Sequence, residues 1–94
     1  MPRYLVERLF HVSIDEMPMA GRRSKEIVVN QFPEITWEHS HVVVDDEGAV
    51  KTYCVYAAPN EEIVRRHAVE LGLHDLQGIS EIAGDVSPDD FPLD

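Results

Sequence analysis

Two histidines separated by a single residue, His39 and His41, are the sharpest chemical feature of the chain. On a strand, residues two apart project from the same face about 6.5 to 7 Å from one another. That spacing lets one metal ion bridge both imidazoles. The same rings could instead move protons, or line a half-buried face as hydrogen-bonded side chains with Trp37 packed beside them. Glu7 lies between Leu5 and Leu9; enclosed with them it becomes a candidate base or oxygen ligand, and paired with an arginine it is structural. His67 falls one helical turn from both Ile63 and Leu71 and therefore points inward, as a core histidine or as a further ligand. Arg8 faces away from Glu7 and would bind an anion in a cavity or pair across an interface. Cys54 is the single cysteine. Thiolate chemistry would need positive charge beside it, and its neighbours Tyr53 and Val55 supply none, so it reads as a small hydrophobe. His11 and His74 read as loop or element-end residues.

These residues need elements to position them. Arg3 to Phe10 is rich in strand formers, and alternation sends Tyr4, Val6, Arg8 and Phe10 to one side and Leu5, Glu7 and Leu9 to the other. Ser13 and Glu16 have capping-box spacing, but Pro18 would then lie inside the helix, so a helix starting near Pro18 and ending at Pro33 is expected. Ile35 to Val44 and Val50 to Ala58 form a hairpin around Asp45-Asp46-Glu47-Gly48. In the first of these strands Val42 and Val44 should oppose Trp37 and Val43. Asn60 and two glutamates open a second helix that Gly72 closes. A short loop then leads to a last strand from Gly78 to Val86. The chain divides into a single domain over residues 1–86 and an acidic, proline-containing tail over residues 87–94.

The order β-α-β-β-α-β predicts an α+β, ferredoxin-like domain: a four-stranded antiparallel sheet with two helices on one face. Helices on one side leave apolar residues on the other without cover. A second copy stacked sheet to sheet, as in dimeric α/β-barrel proteins, is the expected solution and encloses a small cavity. Ninety-four residues suit this, because so short a chain buries only a modest share of its surface alone.

Composition narrows the function classes. A hydrophobic share of 44% is enough for a folded core. Eight basic against eighteen acidic residues, a net charge of -10, repel a phosphate backbone, so nucleic acid is not an expected partner. No run approaches the roughly 18 to 20 apolar residues of a membrane span, and Met1 to Glu7 lacks the layout of a signal peptide. With one cysteine and hence no internal disulfide, a cytoplasmic location is expected. Glycine-rich phosphate loops, Cys-x-x-Cys pairs, nucleophile elbows and His-Glu-x-x-His motifs do not occur, which removes nucleotide chemistry and the standard hydrolases.

Several blocks together carry a family resemblance: Arg3-Tyr4-Leu5-Val6-Glu7-Arg8, Thr36-Trp37-Glu38-His39-Ser40-His41-Val42, Tyr53-Cys54-Val55-Tyr56-Ala57-Ala58-Pro59, Arg66-His67-Ala68, Gly72-Leu73 and Ile79-Ser80-Glu81-Ile82. They resemble the bacterial family of domain of unknown function 4242, whose described examples include a nickel-binding protein. The resemblance implies a ferredoxin-like homodimer with nickel or another divalent transition metal as cofactor, and transfers no ligand set.

Beside the bland alternative of a structural or regulatory partner, two functions stay open from sequence. One is a non-enzymatic divalent-metal binding protein in which His39 and His41, assisted by Glu7 or His67, hold the ion. The other is a small dimeric α/β-barrel enzyme of the isomerase, cyclase or monooxygenase type, acting on an apolar small molecule in the cavity.

Overall fold

The computed structural model describes residues 1–93. In chain order it contains β1 (Arg3–Phe10), a 3-10 turn (Ile14–Glu16), α1 (Met17–Gln31), β2 (Thr36–Val44), β3 (Val50–Ala57), α2 (Glu61–Leu71), β4 (His74–Glu81) and a second 3-10 turn (Pro88–Asp90).

Local chemistry sets most of these boundaries. Ser13 and Glu16 do make the capping interaction, the Ser13 N–H and hydroxyl both donating to Glu16 Oε1 at 3.0 Å. They close a 3-10 turn, and the α-helix begins after it with Pro18 in its first turn, where a missing N–H leaves no bond unmade. Asn60 caps α2 by accepting from the Ile63 N–H at 3.0 Å, and Gly72 ends the helix at φ 62°. The last carbonyls of α2 find a donor on the other helix: Arg23 donates to the Leu71 and Glu70 carbonyls at 2.8 and 2.9 Å. In the hairpin, Asp45 Oδ1 accepts from the Glu47 and Ala49 N–H groups and Gly48 takes φ 84°.

The strands form one antiparallel sheet in the order β2-β3-β1-β4, an α+β arrangement. Both helices lie on the same face. Val28 of α1 and Val64 of α2 pack on Tyr4, Val6, Cys54 and Tyr56, and further along Ala20, Ile27 and Leu71 pack on Phe10 and Val50. The alternation expected for β1 holds: Tyr4, Val6, Arg8 and Phe10 are buried, while Leu5, Glu7 and Leu9 stand on the face without helices. Among the described residues no helix is long and apolar enough to cross a membrane.

Two expectations are corrected. A bulge between Trp37 and His39 breaks the alternation of β2, so Trp37 pairs with Tyr56 on the helix-covered face while His39 and His41 pair with Val55 and Tyr53 on the other. The Trp37 indole donates to Ser40 Oγ at 2.8 Å across the bulge, with its ring 6.3 Å from that of Tyr56. The second correction is the last strand, which runs from His74 to Glu81 instead of Gly78 to Val86. Gly72 and Leu73, both at positive φ, turn the chain straight from α2 into β4. A second bulge between Glu7 and Arg8 of the pairing hides the period-two pattern of His74-Asp75-Leu76-Gln77-Gly78 from sequence reading. After β4, the Ile82 N–H donates to the Arg3 carbonyl at 2.8 Å, and Asp85 pairs with Arg3. Asp94, the last residue of the expected tail, lies outside the described residues.

Candidate functional site

The face without helices carries the histidine pair. His39 and His41 are exposed, their ring centroids 5.4 Å apart and their planes at 78°. Neither ring is engaged in a hydrogen bond with another described residue, so the lone pairs are available to a ligand. Glu7 stands on this face too, also exposed, opposite Tyr53 of β3, and Tyr53 is opposite His41. The three therefore lie in one cross-strand row with Glu7 two strands from His41, about 9.5 Å of sheet. Glu38, at the bulge beside His39, accepts from Arg3 at 2.8 and 3.1 Å, and those bonds hold its carboxyl below the usual carboxylate range.

His67 is on the other face. It is fully buried under α2, and both ring nitrogens have partners: Arg8 Nη2 at 3.4 Å from Nδ1 and Ser24 Oγ at 3.1 Å from Nε2. A guanidinium can only donate, so Nδ1 is the acceptor and Nε2 carries the proton that Ser24 receives. Burial, and then the charge of Arg8, push the His67 pKa down to about 4. His67 is accordingly a neutral imidazole at pH 7.

Around it is a polar cluster that sequence reading divided among unrelated roles. Arg8 is 1% exposed, and its Nη1 donates to Cys54 Sγ at 3.2 Å and to Tyr56 Oη at 2.9 Å. The positive charge that Cys54 lacks among its sequence neighbours thus arrives from β1. Burial pushes the Tyr56 hydroxyl up to about 12, keeping it neutral. The available signal was the position of Arg8 itself, a charged residue in an otherwise apolar alternation of Tyr4, Val6 and Phe10. Beside the cluster, between α1 and the β2 side of the sheet, lies a cavity of about 660 Å³ that Arg8, Cys54, Tyr56 and Ser24 line in part.

Of the four residues singled out as metal ligands, the structure brings His39 and His41 together, places Glu7 in the cross-strand row of His41, and puts His67 behind the sheet. Among the described residues no group of three or more His, Cys, Asp or Glu side chains is gathered to hold a metal ion. One chain thus offers two imidazoles, half of a tetrahedral set. His11 pairs with Asp75 at 2.9 Å on the surface, and the half-buried His74 has Nδ1 2.6 Å from the Gly72 carbonyl.

Comparisons with known proteins agree with this architecture. A family model described as "Nickel responsive protein SCO4226-like" matches residues 4–82. Among solved structures, the crystal structure of SCO4226 from Streptomyces coelicolor A3(2) superposes with a TM-score of 0.66 at 16% identity, covering 89% of this chain and 99% of that one. At that identity the likeness is one of fold. No curated protein matches the chain.

Proposed function

This chain belongs to the nickel responsive SCO4226-like family, and from that premise we propose that it is a small cytoplasmic protein that binds a divalent metal, nickel or an ion like it, as a homodimer. The observation that carries the reading is the pair of free, exposed imidazoles 5.4 Å apart on the sheet face that no helix covers. Imidazole suits borderline ions such as nickel and zinc. Two rings make an incomplete site, and a second copy stacked on the same face supplies two more. Leu5, Leu9, Tyr53 and Val55 share that face, so stacking would also bury apolar side chains that a chain this short gains by covering. Glu7 is the only carboxylate that β1 and β3 present there, an oxygen donor on the face that the stacked pair would enclose. The strand order, with both helices on one side, supports a ferredoxin-like topology for each copy. The buried free thiol of Cys54 supports a reducing compartment.

The test is metal analysis and calorimetric titration with nickel on protein carrying no affinity tag, together with light scattering to find the oligomeric state. The reading expects a dimer that takes up nickel in near-stoichiometric amount and loses it in the His39→Ala/His41→Ala variant. A monomer, or nickel uptake unchanged in that variant, rejects it.

A further inference from the structure

We infer that the cavity between α1 and the helix-covered face of the sheet is a binding site for a small organic monoanion, a carboxylate on an apolar body, with the Arg8 guanidinium as its counter-charge. Of the histidine pair only His39 also borders this cavity, and an organic anion held there goes beyond metal binding.

Arg8 is 1% exposed, and none of its hydrogen-bond partners is a carboxylate: the Cys54 sulfur, which itself donates to Thr52 Oγ1 at 3.4 Å, the Tyr56 hydroxyl and the unprotonated nitrogen of His67. Its Nε has no partner among the described residues. Guanidinium groups keep their proton throughout the range in which proteins function, so the cluster holds a buried positive charge with no carboxylate against it. Such a charge is expensive unless an anion joins it. Scarcity of acid does not explain the arrangement, since the chain has eighteen acidic residues to eight basic ones. Arg3, Arg22, Arg65 and Arg66, all on the surface or partly so, each have a carboxylate. Arg23, also without a carboxylate among the described residues, donates to the helix-end carbonyls of Leu71 and Glu70; Arg8 is the fully buried one left without, and an anion from outside completes it.

The cavity defines the anion. Its volume of about 660 Å³ falls within the roughly 300 to 1,000 Å³ of small-molecule sites. Its walls include Phe10, Met17, Trp37, Val42 and Leu71, which favour a hydrocarbon body. Arg8 is the only arginine or lysine among the lining residues, which also offer the hydroxyls of Ser24, Ser40, Thr52 and Tyr56, the Trp37 indole and the His39 ring. One guanidinium fork matches the two oxygens of one carboxylate; a phosphate, carrying more charge, would call for more cations than the walls contain. Glu38 at the rim does not compete, because its oxygens are taken by Arg3.

Trp37 is the only tryptophan and lines the cavity, so its fluorescence reports occupancy. The full-length, untagged protein is titrated with octanoate, 1-octanol and inorganic phosphate. Octanoate is expected to give a saturable change, 1-octanol to bind at least about tenfold more weakly, and phosphate to give none; in R8M the preference for octanoate over octanol disappears. The second variant is G21L. Gly21 lines the cavity on α1, and a Cβ there meets nothing within 4 Å, so a leucine is admitted at its Cβ and takes up cavity volume with the rest of its side chain. G21L should weaken octanoate by at least about tenfold while its circular dichroism and nickel uptake stay as in the parent, and it decides the matter alone should R8M not fold. Equal binding of acid and alcohol, a phosphate response stronger than that of octanoate, no saturable signal from octanoate, or undiminished octanoate binding in G21L overturns the proposal. Nickel uptake by the His39→Ala/His41→Ala variant is read separately, so either site can fail without the other.

Discussion

The two faces of the sheet carry the same residue type in opposite conditions. On the open face His39 and His41 are exposed, lack hydrogen-bond partners among the described residues and lie 5.4 Å apart. Behind the sheet His67 is fully buried, bonded at both nitrogens and held neutral by burial and by Arg8. An imidazole is therefore not a functional statement by itself. Its free lone pairs and its hydration decide whether it can take a metal or serves as an internal acceptor for an arginine.

The largest expected effect tests the buried side of this contrast through pH. His67 has its pKa lowered from 6.5 to about 4, so between those values the unfolded chain binds a proton that the folded one refuses. Its contribution to stability is complete above pH 6.5 and is lost as pH falls toward 4, a total of roughly 3 kcal/mol at 1.36 kcal/mol per unit. About 2 kcal/mol of that falls between pH 6.5 and 5. Burial lowers the half-buried His74 as well, so it acts in the same direction. Urea denaturation at pH 7 and pH 5 should give a much smaller difference in His67→Gln than in the parent; equal slopes would remove His67 as the cause.

Next in size is the open face. The His39→Ala/His41→Ala variant should lose about 100-fold in nickel affinity, near 2.8 kcal/mol. Its unfolding free energy should stay within about 0.5 kcal/mol of the parent, as for exposed positions in general. A large stability loss would mean that the pair is structural and would erase the distinction between the faces.

Glu7→Gln sharpens the role of the carboxylate in the same row. Its expected cost is about tenfold in nickel affinity with little change in stability, measured by the same titration. An unchanged isotherm leaves the histidines as the whole donor set.

The smallest effect belongs to α1 above the cavity. Gly21→Ala adds a methyl group where nothing lies within 4 Å and improves helix propensity, so it should stabilise the protein by about 0.5 to 1 kcal/mol. A loss of stability would mean that the space beside Arg8 is tighter than its walls indicate.

Local pattern made much of the fold readable. Alternation in β1, the glycine turn of the hairpin, the Asn60 cap and the Gly72 stop each depend on residues a few positions apart, and each appears where those residues put it. What local pattern missed are the two bulges. A bulge is defined by the partner strand as much as by its own residues, and sequence spacing alone placed Trp37 with the histidines and began β4 four residues late.

For the candidate sites the division is similar. The sequence alone determined that His39 and His41 share a face, since spacing by two survives any bulge outside the pair. It also determined that His67 points inward from its helix, because the stripe of Ile63, His67 and Leu71 is a matter of helical period. Only the tertiary structure decided that these histidines lie on opposite sides of one sheet. It also decided that Arg8, Cys54, Tyr56, Ser24 and His67 meet beside a cavity. Those contacts join residues 43 to 59 positions apart only after four strands have paired and two helices have docked. A buried charge without a counter-ion is a property of everything packed around it, and a single strand holds no record of what the other elements bring.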